Sequence, residues 1–116
     1  MHEMQLVENV VDIVLEQAKL ADAKKVLYVK LKIGELRDIV DELMEKCFQF
    51  IARGTMAEES VLEIEKVPFV VRCSQCGEEK HALISDYATM SCDSCGCKRL
   101  ELVSGREFLI EDMEIV

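Results

Sequence analysis

Two cysteine pairs mark the second half of the chain. "CSQCG" at 73–77 and "CDSCG" at 92–96 give the pattern C-x2-C-x15-C-x2-C. Two intervening residues let both thiolates of a pair reach one ion. The glycine after each second cysteine suits the tight turn of a metal knuckle, where positive φ helps. Zinc takes four such ligands tetrahedrally at about 2.3 Å, and a closed four-thiolate site leaves no position for substrate or water. Cys73, Cys76, Cys92 and Cys95 are therefore expected to hold structural Zn(II). Iron in a rubredoxin-like centre is the alternative, because four thiolates also suit it. Cys97, in "CGC", offers a substitute for Cys95, but the matched x2 spacing favours Cys95. Cys47 falls on the apolar stripe of a predicted helix and reads as a small core residue.

The other candidate chemistry lies in the opening "MHEM". A free amine at Met1 is a nitrogen ligand, and the His2 imidazole is a second. The His2 peptide nitrogen, once deprotonated, closes a five-membered chelate ring with the amine and a six-membered ring with imidazole Nδ1. The Glu3 amide nitrogen or carboxylate can complete a square. Ions that prefer square-planar nitrogen sites, Ni(II) and Cu(II), assist that deprotonation, whereas zinc has no such preference. These residues alone leave the plainer reading open. In it His2 has no role, Met4 is a core residue at a helix start, and Glu3 is a favourable charge near a helix N-terminus.

The elements around these residues follow from periodicity. Val7, Val10, Val11, Val14 and Ala18 recur at helical spacing within 4–21, opposite Glu8, Asp12, Glu16 and Lys19. "VLYVKLKI" (26–33) alternates, with Leu27, Val29, Leu31 and Ile33 on one face and Lys30 and Lys32 on the other, as a half-buried strand does. Gly34 ends it. Asp38 is placed to cap a second helix, "IVDELMEKCFQFIAR", with Leu43, Cys47, Phe50 and Ile51 on its apolar stripe beside Met44 and Phe48. Gly54 is the expected stop. "SVLEIEKV" (60–67) is a second strand, with Leu62 and Ile64 inward, and "GREFLIEDMEIV" carries a third. Between them, from about 70 to 100, no helix is expected. The fold class is thus α+β: two helices on a three-stranded sheet, with an inserted zinc-ribbon-like four-cysteine module. Residues 1–70 and 101–116 form the α/β domain, and 71–100 the zinc-binding module.

Composition narrows the partners. There is no Trp, and two Tyr and four Phe leave an aliphatic core. The formal net charge is -9, from 23 acidic and 14 basic side chains, which argues against nucleic acid, whose binders need Lys and Arg to displace counterions. A zinc-ribbon adaptor binding nucleic acid or other proteins is the alternative class. No apolar run approaches a membrane span, and the N-terminus lacks the pattern of a signal peptide. A cytoplasmic location is expected, where thiols stay reduced and six cysteines point to metal rather than disulfides.

"MHE" leading into an amphipathic helix, "KIGEL" at the end of the first strand, two CxxC pairs after a second strand and the closing "GREFLIEDMEIV" occur here together. In that order and spacing the chain resembles the HypA family of hydrogenase nickel-insertion accessory proteins along essentially its whole length. The resemblance implies a non-enzymatic metallochaperone that binds Ni(II) at Met1 and His2, with the 2–3 backbone and Glu3 in or next to the site, beside a structural Zn(II) ribbon. It implies two partners, a hydrogenase maturation GTPase and the large subunit of a [NiFe] hydrogenase, and some members also serve urease. Some members add an acidic residue after the strand-end glycine. Val40 stands at that position here, flanked by Asp38 and Asp41. Others recruit a histidine of the zinc module. The only histidine there is His81, whose default reading is a surface residue.

Overall fold

The computed structural model describes residues 3–86 and 89–116. The chain runs α1 (Glu3–Leu20), β1 (Val26–Gly34), a 3-10 turn (Glu35–Arg37), α2 (Asp41–Ile51), β2 (Val61–Val67), β3 (Val70–Cys73), β4 (Glu79–His81), a second 3-10 turn (Ile84–Asp86), β5 (Leu100–Ser104) and β6 (Phe108–Ile115). It divides into two compact units. The first is Met1–Lys32, Asp38–Glu65 and Leu109–Val116, and the second is Ile33–Arg37 and Lys66–Phe108.

In the first unit, α1 buries Val7, Val10, Val11, Val14 and Ala18, the stripe its periodicity predicts. Met4, expected in the core, is 43% exposed, while Glu3 is 4% exposed. At 3.6 residues per turn Glu3 lies nearer the centre of that stripe than Met4 does. α1 packs on α2, which buries Met44, Cys47 and Phe48. Leu43 and Phe50 are exposed, about a quarter turn off this stripe. The Arg53 guanidinium lies over the Phe50 ring, 5.3 Å from its centroid. Asp38 does not cap α2. It adopts a left-handed conformation (φ 52), and the helix begins later, with Val40 as its N-cap residue. α2 ends at Ile51, and Gly54 turns the chain away with φ 74.

A three-stranded sheet has the order β2-β1-β6. Charge matches the central place of β1. Its outward Lys30 lies 3.2 Å from Glu65, 3.5 Å from Glu111 and 3.6 Å from Glu63, and Lys32 lies 3.3 Å from Glu111. Cations on the middle strand thus meet carboxylates from both neighbours, an arrangement that favours this pairing over others. The bond to Glu65 is the main reason that Lys30 holds its proton more tightly than an ordinary lysine.

The second unit is wider than residues 71–100, and it contains a sheet that helix-or-strand periodicity did not foretell. β4, β3 and β5 pair antiparallel, with Val71 opposite Lys80 on one side and Leu102 on the other. Phe69, Val71 and Ala82 form its core, with Leu36, Met90 and Leu100 against them. Phe69 and Leu36 lie outside 71–100, which is why a ribbon cut at those bounds would leave its core open. The Glu35–Arg37 turn is bound into this unit by hydrogen bonds to main-chain carbonyls. The Gly34 N–H donates to the Glu107 carbonyl at 2.7 Å, the Leu36 N–H to the Gly105 carbonyl at 2.9 Å, and Arg37 Nε to the Arg106 carbonyl at 2.8 Å.

Candidate metal centre

The two CxxC knuckles close on one point. The Sγ atoms of Cys73, Cys76, Cys92 and Cys95 all lie within 4.8 Å of one another. Across the pairs, Cys73 Sγ is 3.5 Å from Cys95 Sγ, and Cys76 Sγ is 3.5 Å from Cys92 Sγ. Thiolates at about 2.3 Å from a tetrahedral zinc stand about 3.8 Å apart, so the donor set fits such an ion. Each knuckle is built by the local chain. The Gly77 N–H donates to the Cys73 carbonyl at 3.0 Å and the Gly96 N–H to the Cys92 carbonyl at 2.8 Å. Both glycines carry positive φ, 79 and 75, as the turn requires.

Cys97 stands outside the cluster. Its sulfur accepts the Arg99 N–H at 3.4 Å, and its carbonyl accepts the Cys92 N–H at 2.8 Å, so it buttresses the second knuckle. Cys47 is buried on α2, away from these thiols in sequence and in unit.

The thiols are electrostatically divided. The Cys76 N–H, donating to Cys73 Sγ at 3.5 Å, is the chief reason the Cys73 thiol is held down at about 6. The Cys95 N–H lowers Cys92 in the same way. The Cys97 N–H also pulls Cys95 down, but the neighbouring Cys73 thiol, burial, Cys92 and Cys76 outweigh it and push Cys95 up to about 12. Cys76 is raised as well, against the pull of the Glu78 N–H. Four sulfurs this close cannot all ionise against one another. A divalent cation among them removes the conflict and deprotonates the set.

His81 is exposed, as expected of a surface residue, and it has a partner. Its Nε2 lies 2.8 Å from Glu35 Oε1, and the same oxygen accepts the Phe69 N–H at 2.6 Å. The Phe69 N–H first, and His81 second, hold the Glu35 carboxyl below its ordinary range. "KIGEL" carried no assigned role for Glu35. A carboxylate directly after a strand-ending glycine was the available signal, but its partners lie far along the chain.

Of the N-terminal candidates, Met1 and His2 lie outside the described residues. Glu3 opens α1, and its Oε2 accepts the Val40 N–H at 3.3 Å. The start of α1 and the start of α2 are therefore together. Asp41 and Glu42 lie in the first turn of α2. Among the described residues the cysteine set is the only group of three or more Cys, His, Asp or Glu placed to share a metal ion, and no helix is long and apolar enough to cross a membrane.

The sequence profile of the family described as "Hydrogenase/urease nickel incorporation, metallochaperone, hypA" matches residues 1–115. The hydrogenase maturation factor HypA of Rippkaea orientalis is 38% identical over 115 residues, covering 99% of this chain and 96% of the relative. That of Dehalococcoides mccartyi is 31% identical over 115 residues, covering 99% and 94%. Among solved structures, a HypA protein in solution superposes with a TM-score of 0.73 at 23% identity, covering 100% of this chain and 97% of that one. The nickel metallochaperone HypA of Helicobacter pylori gives 0.67 at 23% identity, covering 100% and 98%. These two likenesses establish the shared fold.

Proposed function

Because this chain belongs to the HypA family of nickel-incorporation metallochaperones, which are maturation factors and not enzymes, we propose that it takes up Ni(II) at its N-terminus and hands it to a [NiFe] hydrogenase under assembly. The family match along the whole chain, "MHE" included, is the observation that carries this reading. The Met1 amine, the backbone at 2–3 and the His2 imidazole hold the cargo ion. Nickel and copper suit such a nitrogen set, and one imidazole at a chain end releases its ion more readily than a closed cage.

Zinc is the resident ion of Cys73, Cys76, Cys92 and Cys95, and when bound it supplies folding energy rather than chemistry. The geometry of the four thiols supports this: the set is complete without a water or substrate position. The recipient hydrogenase large subunit and a maturation GTPase are the partners, with urease as a second client, as the family description includes urease. The chain's net charge of -9 suits basic protein surfaces and disfavours nucleic acid.

Nickel titration of untagged protein tests the reading. His2→Ala removes the imidazole. One residue added before Met1 keeps every side chain but turns the amine into an amide. Both changes are expected to weaken nickel binding by at least about tenfold, the loss of one metal–nitrogen bond being worth more than about 1.4 kcal/mol, while His81→Ala changes it little. Undiminished affinity in the extended protein would refute an amine ligand.

A further inference from the structure

We infer that Glu3 is a positioning residue: its buried carboxylate pins the start of α1 to the first turn of α2 and so sets where the N-terminal nickel ligands begin, while giving the metal no oxygen. The inference rests on the proposed nickel function and narrows the ligand set within it.

Glu3 is the charged side chain that the fold buries among the described residues, at 4% exposure. A carboxylate in that position needs hydrogen-bond partners, or its burial is costly. One partner is the Val40 N–H, 3.3 Å from Oε2. Val40 occupies the N-cap position of α2, and a valine has no side-chain oxygen with which to cap. In a capping box the N-cap N–H is satisfied by a glutamate three residues on within the same helix. Here Glu3, from another helix, accepts that N–H. It also sits where the positive ends of two helices converge, its own and that of α2.

Side chain and backbone of Glu3 therefore have separate uses. Were the carboxylate to swing out to a metal, the Val40 N–H would lose its acceptor and the helix starts their link. The backbone nitrogen has no such obligation. Glu3 opens α1 among the described residues, and the main-chain N–H groups of a helix's first turn have no intrahelical carbonyl to bond. Nickel can displace that proton without breaking a helical hydrogen bond. The anchor and the ligand are thus the two ends of one residue.

Two readouts on untagged full-length protein test this, with Glu3→Ala and Glu3→Gln. The first is amide exchange at Val40 without nickel. Removing a buried acceptor is expected to speed exchange by about tenfold in Glu3→Ala, whereas Gln keeps an acceptor oxygen and stays within about threefold. The second is nickel titration with the visible spectrum of the complex. Glu3→Ala is expected to bind about tenfold more weakly, Glu3→Gln within about threefold of wild type, and all three to share one spectrum, since the nitrogen ligands are unchanged. A Gln variant that loses nickel as Ala does, or shifts the spectrum, would make the carboxylate a ligand and overturn the inference. Unchanged Val40 exchange in Glu3→Ala would overturn the anchor. If wild-type protein took up no nickel, the delivery reading would fall and take the nickel half of this inference with it, while the exchange pattern would still decide the anchor.

Discussion

The glycine of "KIGEL" is the position where one methyl group should do most damage. Gly34 ends β1, and the 105–106 segment passes directly against its Cα. A Cβ at Gly34 would overlap the Gly105 carbonyl and lie 2.6 Å from the Arg106 nitrogen. Both are main-chain atoms, so neither can rotate away. Relief requires separating two backbones held by the Gly34–Glu107 bond of 2.7 Å and the Leu36–Gly105 bond of 2.9 Å. Overpacking of this kind costs about 1–3 kcal/mol, and each weakened hydrogen bond about 0.5–1.5 kcal/mol. Gly34→Ala should therefore destabilise the second unit by roughly 3–5 kcal/mol, a large part of the ~5–15 kcal/mol that holds an ordinary domain. At a urea dependence of about 1.5 kcal/mol per molar, the midpoint should fall by about 2 M or more. Gly77→Ala is the control. Gly77 has φ 79 but open space around its Cβ, so the cost is backbone strain alone, about 1 kcal/mol. Two signals keep the units apart. Thiolate-to-metal absorption of cobalt-loaded protein follows the second unit, and helical circular dichroism follows the first, which holds α1 and α2. The absorption midpoint should drop well before the helical one. A Gly34→Ala protein whose absorption midpoint stays within about 0.3 M of wild type would refute the close approach on which the estimate rests.

Cys95→Ser should lower zinc content to well below one ion per chain, whereas Cys97→Ser should leave it full, because the Cys97 sulfur accepts the Arg99 N–H and stands outside the four-thiol cluster; metal analysis by mass spectrometry decides between them. Glu35 has its carboxyl held below the ordinary range in the folded chain, first by the Phe69 N–H and then by His81. Its contribution should therefore be complete above the unfolded carboxyl value, near pH 4.3, and be lost as pH falls through the lower folded value. Glu35→Gln should flatten that acid limb of the second unit's stability and lower its thermal midpoint by a few degrees at neutral pH. An acid limb identical to wild type would show that the carboxylate carries no such linkage.

Much of this protein is written in short-range pattern. The stripe Val7, Val10, Val11, Val14, Ala18 specifies a helix and its buried face, because 3.6-residue periodicity is a property of the local backbone. Alternation does the same for β1 from Val29 to Ile33, although at the strand's start Val26 is buried and Leu27 exposed, and the outward Lys30 and Lys32 meet the outward Glu63 and Glu65. The cysteine knuckles are equally local: two residues between thiols and a glycine after them bring each pair to one point. What the sequence could not express was partnership at a distance. Glu3 reaches Val40 across 37 positions, and Glu35 reaches His81 across 46. Asp38 carries the side chain of a helix cap, yet its backbone turns left-handed, and the cap passes to a valine served by a glutamate from another helix. The β4-β3-β5 sheet is legible only once the knuckles have folded back, since its strands are three to five residues long and carry too few alternations to register. Periodicity and spacing encode which face a residue presents. Which distant backbone waits at that face is decided by packing, where a buried carboxylate or an unpaired N–H must find a partner from whatever the tertiary fold brings near.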